Sequence, residues 1–178
     1  NRVVQELGGK DCLWIGMISG DVISQSMRFR DNKGICERTK YVLLDFQSRA
    51  RTNGFLANGI AGKLLHSLTD SSIVIAESMA MYQSMGSAFR VASNPEPEAR
   101  MWALEGFAAG INPWWHHIGA YHEDRRQYKT AEPLFHWHEN HEEYLVNRTP
   151  IASVGIVWSQ SNVDFYGRDN ADELVNLP

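Results

Sequence analysis

Short runs of apolar, β-forming residues recur along the chain at intervals of roughly 30 to 40 residues, the length of one strand–helix unit. The runs are Cys12–Ile18, Tyr41–Leu44, Ile73–Ala76, Ile111–Trp115 and Ala152–Trp158. The first, third and fifth are almost continuously apolar, which is typical of parallel strands that helices cover on both faces. The pattern therefore predicts an α/β fold in which five parallel strands alternate with helices.

Helical patterns lie between these runs. The three clearest span Asn58–Leu68, Pro97–Gly110 and Thr130–Leu145. Gly110 is predicted to close the second helix as a C-cap, and Pro133 is predicted to lie in the first turn of the third. A helix before the first strand should end near Gly8-Gly9, whereas Asn32-Lys33-Gly34 is typical of a turn.

Composition narrows the class of protein. The chain has 178 residues, of which 43% are hydrophobic and 21% are charged, and these are ordinary values for a globular domain. The net charge of −4 provides no basic footprint for nucleic acid. No apolar stretch approaches the ~18 residues of a membrane span, and the first residues lack the apolar core of a signal peptide. We therefore expect a cytoplasmic protein that binds neither nucleic acid nor membrane.

Neither the cysteines nor the motifs of cofactor-binding proteins indicate a function for this chain. Cys12 opens an apolar run and is predicted to be a small core residue, and two cysteines form no disulfide framework. The chain has no Gly-x-Gly-x-x-Gly motif, no phosphate loop and no Gly-x-Ser-x-Gly elbow. No nucleotide or other cofactor is therefore predicted. The chain also begins without Met, which suggests that it was cut from a longer one.

Two of the predicted strands end on an acidic residue. Glu77 follows Ile73–Ala76, and Asp45 follows Tyr41–Leu44. Ligands of parallel α/β sheets bind beyond the carboxyl ends of the strands, where such carboxylates become available for chemistry. Paired carboxylates hydrolyse glycosidic bonds. Glu77 is thus the best candidate for a catalytic residue, and the alternative for both acids is a structural role as a loop cap or an arginine partner.

Aromatic and imidazole side chains follow the fourth run, in the order Trp114-Trp115-His116-His117. Such side chains can stack against a sugar ring and donate hydrogen bonds to it. Because successive strand side chains alternate between faces, the four cannot all line one pocket. We take Trp114, Trp115 and His117, together with Asp45, as candidate substrate-binding residues. The alternative is that one Trp and one His pack in the core.

Histidines also occur between His122 and His141. His138 and His141 lie one helical turn apart, which is compatible with a shared metal ion. However, neither a His-Glu-x-x-His motif nor a cysteine pair accompanies them. His141 also shares the apolar helical stripe of Leu134, Trp137 and Tyr144, which favours a packed, hydrogen-bonded core histidine. No metal site is predicted, and a metal-dependent hydrolase built on this cluster remains an alternative.

Several segments taken together resemble one family. They are Glu77–Gln83, Pro95–Trp102, Gly110–Gly119, Tyr121–Arg126, Glu132–Leu145 and Val154–Gln160. The set resembles hypothetical glycosyl hydrolases related to the β-galactosidases of family 42, which belong to a large clan of retaining (β/α)₈-barrel enzymes. The resemblance covers nearly the whole chain, although no single segment would suffice.

The resemblance implies a particular organisation. Residues 1–149 would form the C-terminal half of the barrel, from strand five to strand eight, and residues 150–178 would begin a following Rossmann-like domain that is often involved in trimerisation. Glu77 would be the nucleophile at the end of strand seven. The acid/base glutamate of the clan, which follows strand four, has no counterpart in this chain. The implied function is retaining hydrolysis of a carbohydrate by a homo-oligomeric parent protein, of which this chain is an incomplete and largely inactive part.

Two alternatives remain at the level of the sequence. Five strands in 178 residues also fit an open, flavodoxin-like sheet, whose strand order would be 2-1-3-4-5 instead of sequential. A half barrel would in addition expose strand edges and an apolar face. The chain is then a non-catalytic interaction module that associates with itself or with a partner.

Overall fold

A computed structural model of the chain describes residues 2–19, 31–39, 41–45, 55–68, 74–78, 93–114, 124–146 and 148–165. In chain order the elements are α1 (Arg2–Gly8), β1 (Gly16–Ser19), α2 (Asn32–Cys36), β2 (Tyr41–Asp45), α3 (Leu56–Leu68), β3 (Val74–Ser78), α4 (Glu96–Ala108), β4 (Asn112–Trp114), α5 (Arg126–Asn140), α6 (Glu142–Leu145) and α7 (Gln160–Phe165). The alternation of strands and helices up to β4 confirms the α/β class.

The strands β1 to β4 form one parallel sheet in the order β1-β2-β3-β4. This sequential order differs from the 2-1-3-4-5 order of the flavodoxin-like alternative. Leu44 of β2 is in register with Ile18 of β1 and with Glu77 of β3, and Glu77 is in register with Pro113 of β4. Pro113 suits a strand at the edge of a sheet, because proline cannot donate a ladder hydrogen bond.

The main core lies between one face of this sheet and the helices α2 and α3. Its buried members are Ile18, Cys36, Val42, Leu44, Ala61, Leu65 and Ile111. Val42 and Leu44 are almost completely buried, whereas the alternate residues of the strand, Tyr41, Leu43 and Asp45, are half-buried. This alternation shows that helices cover the sheet on the side of Val42 and Leu44, which we call the covered face.

The buried thiol of this core is Cys36. Its burial, together with the negative charges of Asp31 and Glu37, raises the pKa of the Cys36 thiol to about 11. Cys12 is only partly buried, and its Sγ donates a hydrogen bond to the Gly8 carbonyl oxygen at 2.8 Å. The prediction that Cys12 is a core residue is therefore wrong, because the chain segment before β1 does not enter the core.

The helices α3 and α4 approach each other closely at glycines. A Cβ atom at Gly62 would lie 2.8 Å from Cδ1 of Ile111 and 2.9 Å from Cβ of Ala109, and one at Gly106 would lie 2.7 Å from Nδ2 of Asn58. The predicted end of α4 is confirmed, since Gly110 adopts a φ of +86°, a left-handed value that favours glycine after a helix. The chain can therefore turn directly from α4 into β4.

Two of the predicted helical boundaries are wrong. Asn32-Lys33-Gly34, predicted as a turn, begins the short helix α2, because the Asp31 side chain accepts a hydrogen bond from the Gly34 backbone N–H at 2.9 Å. The single helix predicted at Thr130–Leu145 begins earlier and is divided at His141 into α5 and α6. Pro133 consequently lies inside α5 and not in its first turn.

The prediction of a fifth strand at Ala152–Trp158 is also wrong. These residues have no regular secondary structure, and Val154 and Ile156 are 82% and 90% exposed. A strand needs a neighbouring strand for its backbone hydrogen bonds and a covering layer for its apolar side chains. Within the described residues this stretch meets neither. We call residues 148–158 the arm; it ends at Trp158, which packs against the main core.

The longest described helix, α5, has 15 residues. Neither it nor any other helix among the described residues combines the length and the apolar character that a membrane span requires.

Candidate functional site

The carboxyl ends of the four parallel strands meet at one edge of the sheet, and three of the predicted site residues lie there. Asp45 is the last residue of β2, Trp114 is the last residue of β4, and Glu77 is the last but one of β3, the strand between them. Loops that follow strands at this edge form the ligand sites of parallel α/β proteins. The fold therefore brings the predicted residues to the edge where chemistry is expected.

The face opposite the covered face carries the more exposed side chains of the sheet. Its described members are Met17, Tyr41, Leu43, Asp45, Asn112 and Trp114. They share this face because residues at one register level of a parallel sheet project to the same side, and the levels alternate. Met17 is 57% exposed, whereas its neighbour Ile18 is fully buried on the covered face. We call this side of the sheet the open face.

Asp45 and Trp114 occupy the same level of the open face. Ser78 is in register with Trp114, and Asp45 lies one residue beyond Leu44, which is in register with Glu77. One strand separates the two residues, so their Cα atoms lie about 10 Å apart at the usual ~4.8 Å strand spacing. A carboxylate and an indole at this separation can contact opposite ends of one sugar-sized ligand.

Glu77 lies at a different level from this pair. Its Cα partners are Leu44 and Pro113, one residue before the level of Asp45 and Trp114. Leu44, at the level of Glu77, is fully buried on the covered face. Only the backbone position of Glu77 is described. Trp115 and His117, the remaining predicted substrate-binding residues, lie outside the described residues, as do His116 and His122.

Tyr41 and Asn112 lie on the open face but were not predicted as site residues. Both are half-buried; Asn112 lies two levels and Tyr41 four levels before the Asp45–Trp114 level. The alternation within Tyr41–Asp45, in which every second side chain is buried, is the signal that could have identified Tyr41. Asn112 could have been found in the same way, since it lies two residues before Trp114 on one strand.

A small, mostly apolar cavity lies beneath β4, between α3 and α4. Its volume is about 10 Å³, and it is lined by Asn58, Ala103, Gly106, Phe107, Ile111, Asn112 and Pro113. This space suits a single water molecule and is far too small for a sugar. Asn58 is 1% exposed, and its Nδ2 donates to the Trp102 carbonyl oxygen at 2.8 Å, while its Oδ1 has no hydrogen-bond partner. The cavity is therefore a packing feature and not a substrate pocket.

The polar residues at the start of α5 connect this helix, through hydrogen bonds, to a residue before α4. Asp124 accepts hydrogen bonds from Nε and Nη2 of Arg126, at 2.9 and 2.6 Å, and from the Ser93 backbone N–H at 3.0 Å. The Arg126 guanidinium and the Ser93 N–H hold the pKa of the Asp124 carboxyl well below its usual range. The Ser93 hydroxyl in turn accepts from the Gln127 N–H at 3.2 Å. These contacts join residue 93, before α4, to the beginning of α5.

His138 of α5 and His141, which follows α5, pack against aromatic rings. His138 lies edge-on to Phe107, with ring centroids 5.0 Å apart, and His141 stacks on Trp137 at 4.6 Å. The His141 Nδ1 also lies 2.7 Å from the Trp137 carbonyl oxygen, which confirms the predicted hydrogen bond, but His141 is only partly buried and is not the core residue that was predicted. The rest of the predicted stripe is more exposed than expected, since Tyr144 is 69% exposed. Among the described residues, no three His, Cys, Asp or Glu side chains converge on a potential metal site.

Comparisons of this chain with protein-family models, with curated proteins and with solved structures find no match.

Proposed function

We propose that this chain forms half of a (β/α)₈ barrel that hydrolyses a glycosidic bond with retention of configuration, with Glu77 as the nucleophile. The observation that supports the barrel is the sequential, all-parallel order β1-β2-β3-β4 with α3 and α4 as crossover helices. Neighbouring strands of such barrels follow each other in the chain. The four strands then correspond to strands five to eight, and the arm leads into a following domain.

The distribution of side chains on the sheet is compatible with this proposal. In a barrel the strands present one face to the helices and the other to the interior. The covered face of this sheet is apolar and buried, whereas the open face carries Asp45, Asn112 and Trp114 near its carboxyl edge. These residues, with Trp115 and His117, would hold the sugar.

The proposal also sets a geometric requirement for Glu77. Regular alternation assigns the level of Ile18 and Leu44 to the covered face, and the backbone of Glu77 lies at that level. A nucleophile at position 77 therefore requires β3 to depart from regular alternation at its carboxyl end. β-Bulges, which occur next to active sites, change the direction of a side chain in this way.

The acid/base partner must come from elsewhere in the parent protein. Retaining glycosidases hold two carboxyl groups about 5 Å apart. Asp45 is the other predicted acid at this edge, and it lies on the strand beside Glu77, one residue farther along. By the usual strand spacing and rise, the Cα atoms of Asp45 and Glu77 are about 6 Å apart. Since loss of general acid–base assistance costs roughly 10²–10⁴-fold in rate, we expect the 178-residue chain alone to have little glycosidase activity.

Mechanism-based labelling tests the nucleophile without an acid catalyst. A 2-deoxy-2-fluoro-β-galactoside with a dinitrophenolate leaving group needs no proton to react, and it leaves a glycosyl ester on the nucleophile. We expect the peptide containing Glu77 to gain the mass of the fluorosugar, in the chain or in the parent protein, and Glu77→Gln to abolish this label. Glu132→Gln, at an exposed acid on α5, is the matched control and should retain the label at Glu77.

Two results would contradict the assignment. One is a parent protein whose Glu77→Gln variant retains the turnover of the unaltered protein. The other is robust hydrolysis of an aryl glycoside by the 178-residue chain that Asp45→Asn abolishes. In the second case the chain is a compact enzyme whose acid is Asp45.

A non-catalytic interaction module is the second candidate function. The observation that favours it is the large exposed apolar surface, which includes Met17 on the open face and Val154, Ile156 and Val157 on the arm. Surfaces of this kind mark protein–protein contacts. Light scattering that finds a stable monomer at every accessible concentration would contradict this candidate.

A further inference from the structure

Buried amide side chains lie in the first turn of three helices. They are Asn32 in α2, Asn58 in α3 and Gln127 in α5, and they are 0%, 1% and 2% exposed. The amide oxygen of each has no hydrogen-bond partner in the described part of the chain. Because a buried acceptor without a donor costs free energy, each of these oxygens requires a donor.

Two of these helix starts lie at the carboxyl edge of the sheet. A helix that connects two parallel strands runs back antiparallel to them, so it begins at the end of the sheet where the strands finish. This holds for α2, between β1 and β2, and for α3, between β2 and β3. Asn58 therefore lies at the same end of the sheet as Asp45 and Trp114.

One hydrogen bond fixes the orientation of the Asn58 amide. Its Nδ2 donates to the carbonyl oxygen of Trp102 at 2.8 Å. A carbonyl oxygen only accepts hydrogen bonds, so the NH₂ group must face it, because a flipped amide would place two acceptors against each other. Oδ1 is therefore the atom of this amide that requires another donor.

The small cavity beneath β4 borders this amide. Asn58 belongs to its lining, and its volume of about 10 Å³ is about the room that one water molecule needs. The lining residues of α4 use their N–H groups within the helix. The Ile111 N–H donates to the Gly106 carbonyl oxygen at 2.9 Å, and Pro113 has no N–H. A water molecule is therefore the donor that fits this space.

We propose that Asn58 binds one buried water molecule, which donates a hydrogen bond to Oδ1 and links α3 to α4 and β4. Asn112, the second polar side chain among the lining residues, and the carbonyl oxygens of α4, which have two lone pairs each, can complete the hydrogen bonds of this water. The lining contains no charged side chain, so the site does not suit a metal ion, which requires several oxygen ligands.

The water lies beneath the strand that carries part of the candidate site. Pro113, which lines the cavity, is in register with Glu77, and Trp114 follows it on β4. The water fills the space between this strand and the two helices, and it thereby helps to hold β4 in position. The inference concerns packing, and it holds whether or not Glu77 is catalytic.

A crystal structure of the unaltered chain, at a resolution that shows ordered water, tests the proposal directly. We expect one water molecule within about 3.2 Å of Asn58 Oδ1, enclosed by the lining residues of the cavity. An empty cavity would overturn the proposal, and so would a protein N–H or O–H that donates to Oδ1.

Magnetic relaxation dispersion of water oxygen-17, which counts long-lived internal water molecules, provides an independent test in solution. Asn58→Leu replaces the amide with an apolar side chain of similar shape, so the count should fall by one. Asn140→Leu, at an exposed amide at the end of α5, is the matched control and should leave the count unchanged. An unchanged count in Asn58→Leu, or the same loss in both variants, would contradict the proposal. The crystal structure needs no variant, so it decides the case even if Asn58→Leu does not fold.

Discussion

The strand β2 and the arm contain the same kind of sequence and adopt different structures. Both are short, apolar and rich in β-forming residues, and both follow a helical region. In β2, Leu44 lies between β1 and β3 and is fully buried, whereas Ile156 of the arm is 90% exposed and belongs to no ladder. The two runs thus have the same kind of local sequence. Whether such a run becomes a strand is therefore decided by the strands and helices that lie next to it.

β2 differs from the arm in having partners on three sides. β1 and β3 satisfy its backbone groups, and α2 and α3 cover Val42 and Leu44. Its fourth side, the open face, resembles the arm in exposing apolar atoms. This difference can be measured as a difference in the free energy of unfolding, because an apolar side chain stabilises the fold only when it is buried.

The largest expected effect comes from truncating the two runs at equivalent side chains. Leu44→Ala should lower the free energy of unfolding by about 2–5 kcal/mol, because it removes buried methyl groups and leaves a cavity. Ile156→Ala should change it by less than about 0.5 kcal/mol in dilute, monomeric protein. Urea unfolding curves of both variants give the comparison. Equal losses would mean that the arm is packed and that its exposure is misassigned.

Thiol reactivity should separate the two regions by about two orders of magnitude. Because the pKa of Cys36 rises from 9.0 to about 11, its reactive thiolate is about 100-fold rarer than that of an unshifted thiol at neutral pH. Burial slows its labelling further. Val157→Cys, in a Cys12→Ser background, should by contrast react at once in the folded protein. Comparable labelling rates of Cys36 and residue 157 would contradict the assigned burial.

An added methyl group should also distinguish the packed helices from the arm. Gly62→Ala should destabilise the fold by about 1–2 kcal/mol, since overpacking against Ile111 and Ala109 exceeds the gain in helix propensity. Gly155→Ala is the matched control, because a Cβ there meets nothing within 4 Å. That variant should be neutral or slightly stabilising in thermal denaturation. A stabilising Gly62→Ala would show that α3 and α4 can move apart.

The smallest effect concerns pH and His138. Burial beside Phe107 lowers the pKa of His138, and Arg148 adds to this while Glu142 opposes it. The folded protein therefore binds this proton less readily than the unfolded chain, so stability should fall as the pH drops below the ordinary value of 6.5.

Urea midpoints at about pH 7.5 and about pH 5.5 measure this dependence. His138→Gln should flatten it, because this variant removes the partly buried imidazole. A slope that persists unchanged in His138→Gln would assign the effect to another group.

The sequence predicted those elements whose determinants are local. Gly110 marks the end of α4, and the acids at strand ends mark the carboxyl edge of the sheet, because caps and strand ends depend on a few adjacent residues. The continuous apolar runs were less successful in predicting which strand faces are buried. β1 was predicted to be covered on both faces, yet Met17 is 57% exposed. Coverage depends on what packs against the strand, which composition does not encode.

For the candidate site as well, the sequence predicted the local features but not those that depend on how the strands pair. The positions of Asp45 and Glu77 along their strands follow from the sequence, but their relative level depends on the register between β2 and β3. That register makes Asp45 and Trp114 partners on the open face and gives Glu77 the level of Leu44. A shift of one residue would reverse this assignment, so the pair of acids could not be judged from the sequence alone.

The close packing of α3 and α4 should restrict which residues can replace its glycines in any protein that shares this fold. A Cβ atom at position 62 or 106 would lie 2.7–2.9 Å from neighbouring atoms, so we expect both positions to remain glycine in proteins that share this fold. Such a pair, one glycine on each of two consecutive helices, is a search key for remote relatives. It would outlast the acids and aromatics of the open face, which change whenever the ligand changes.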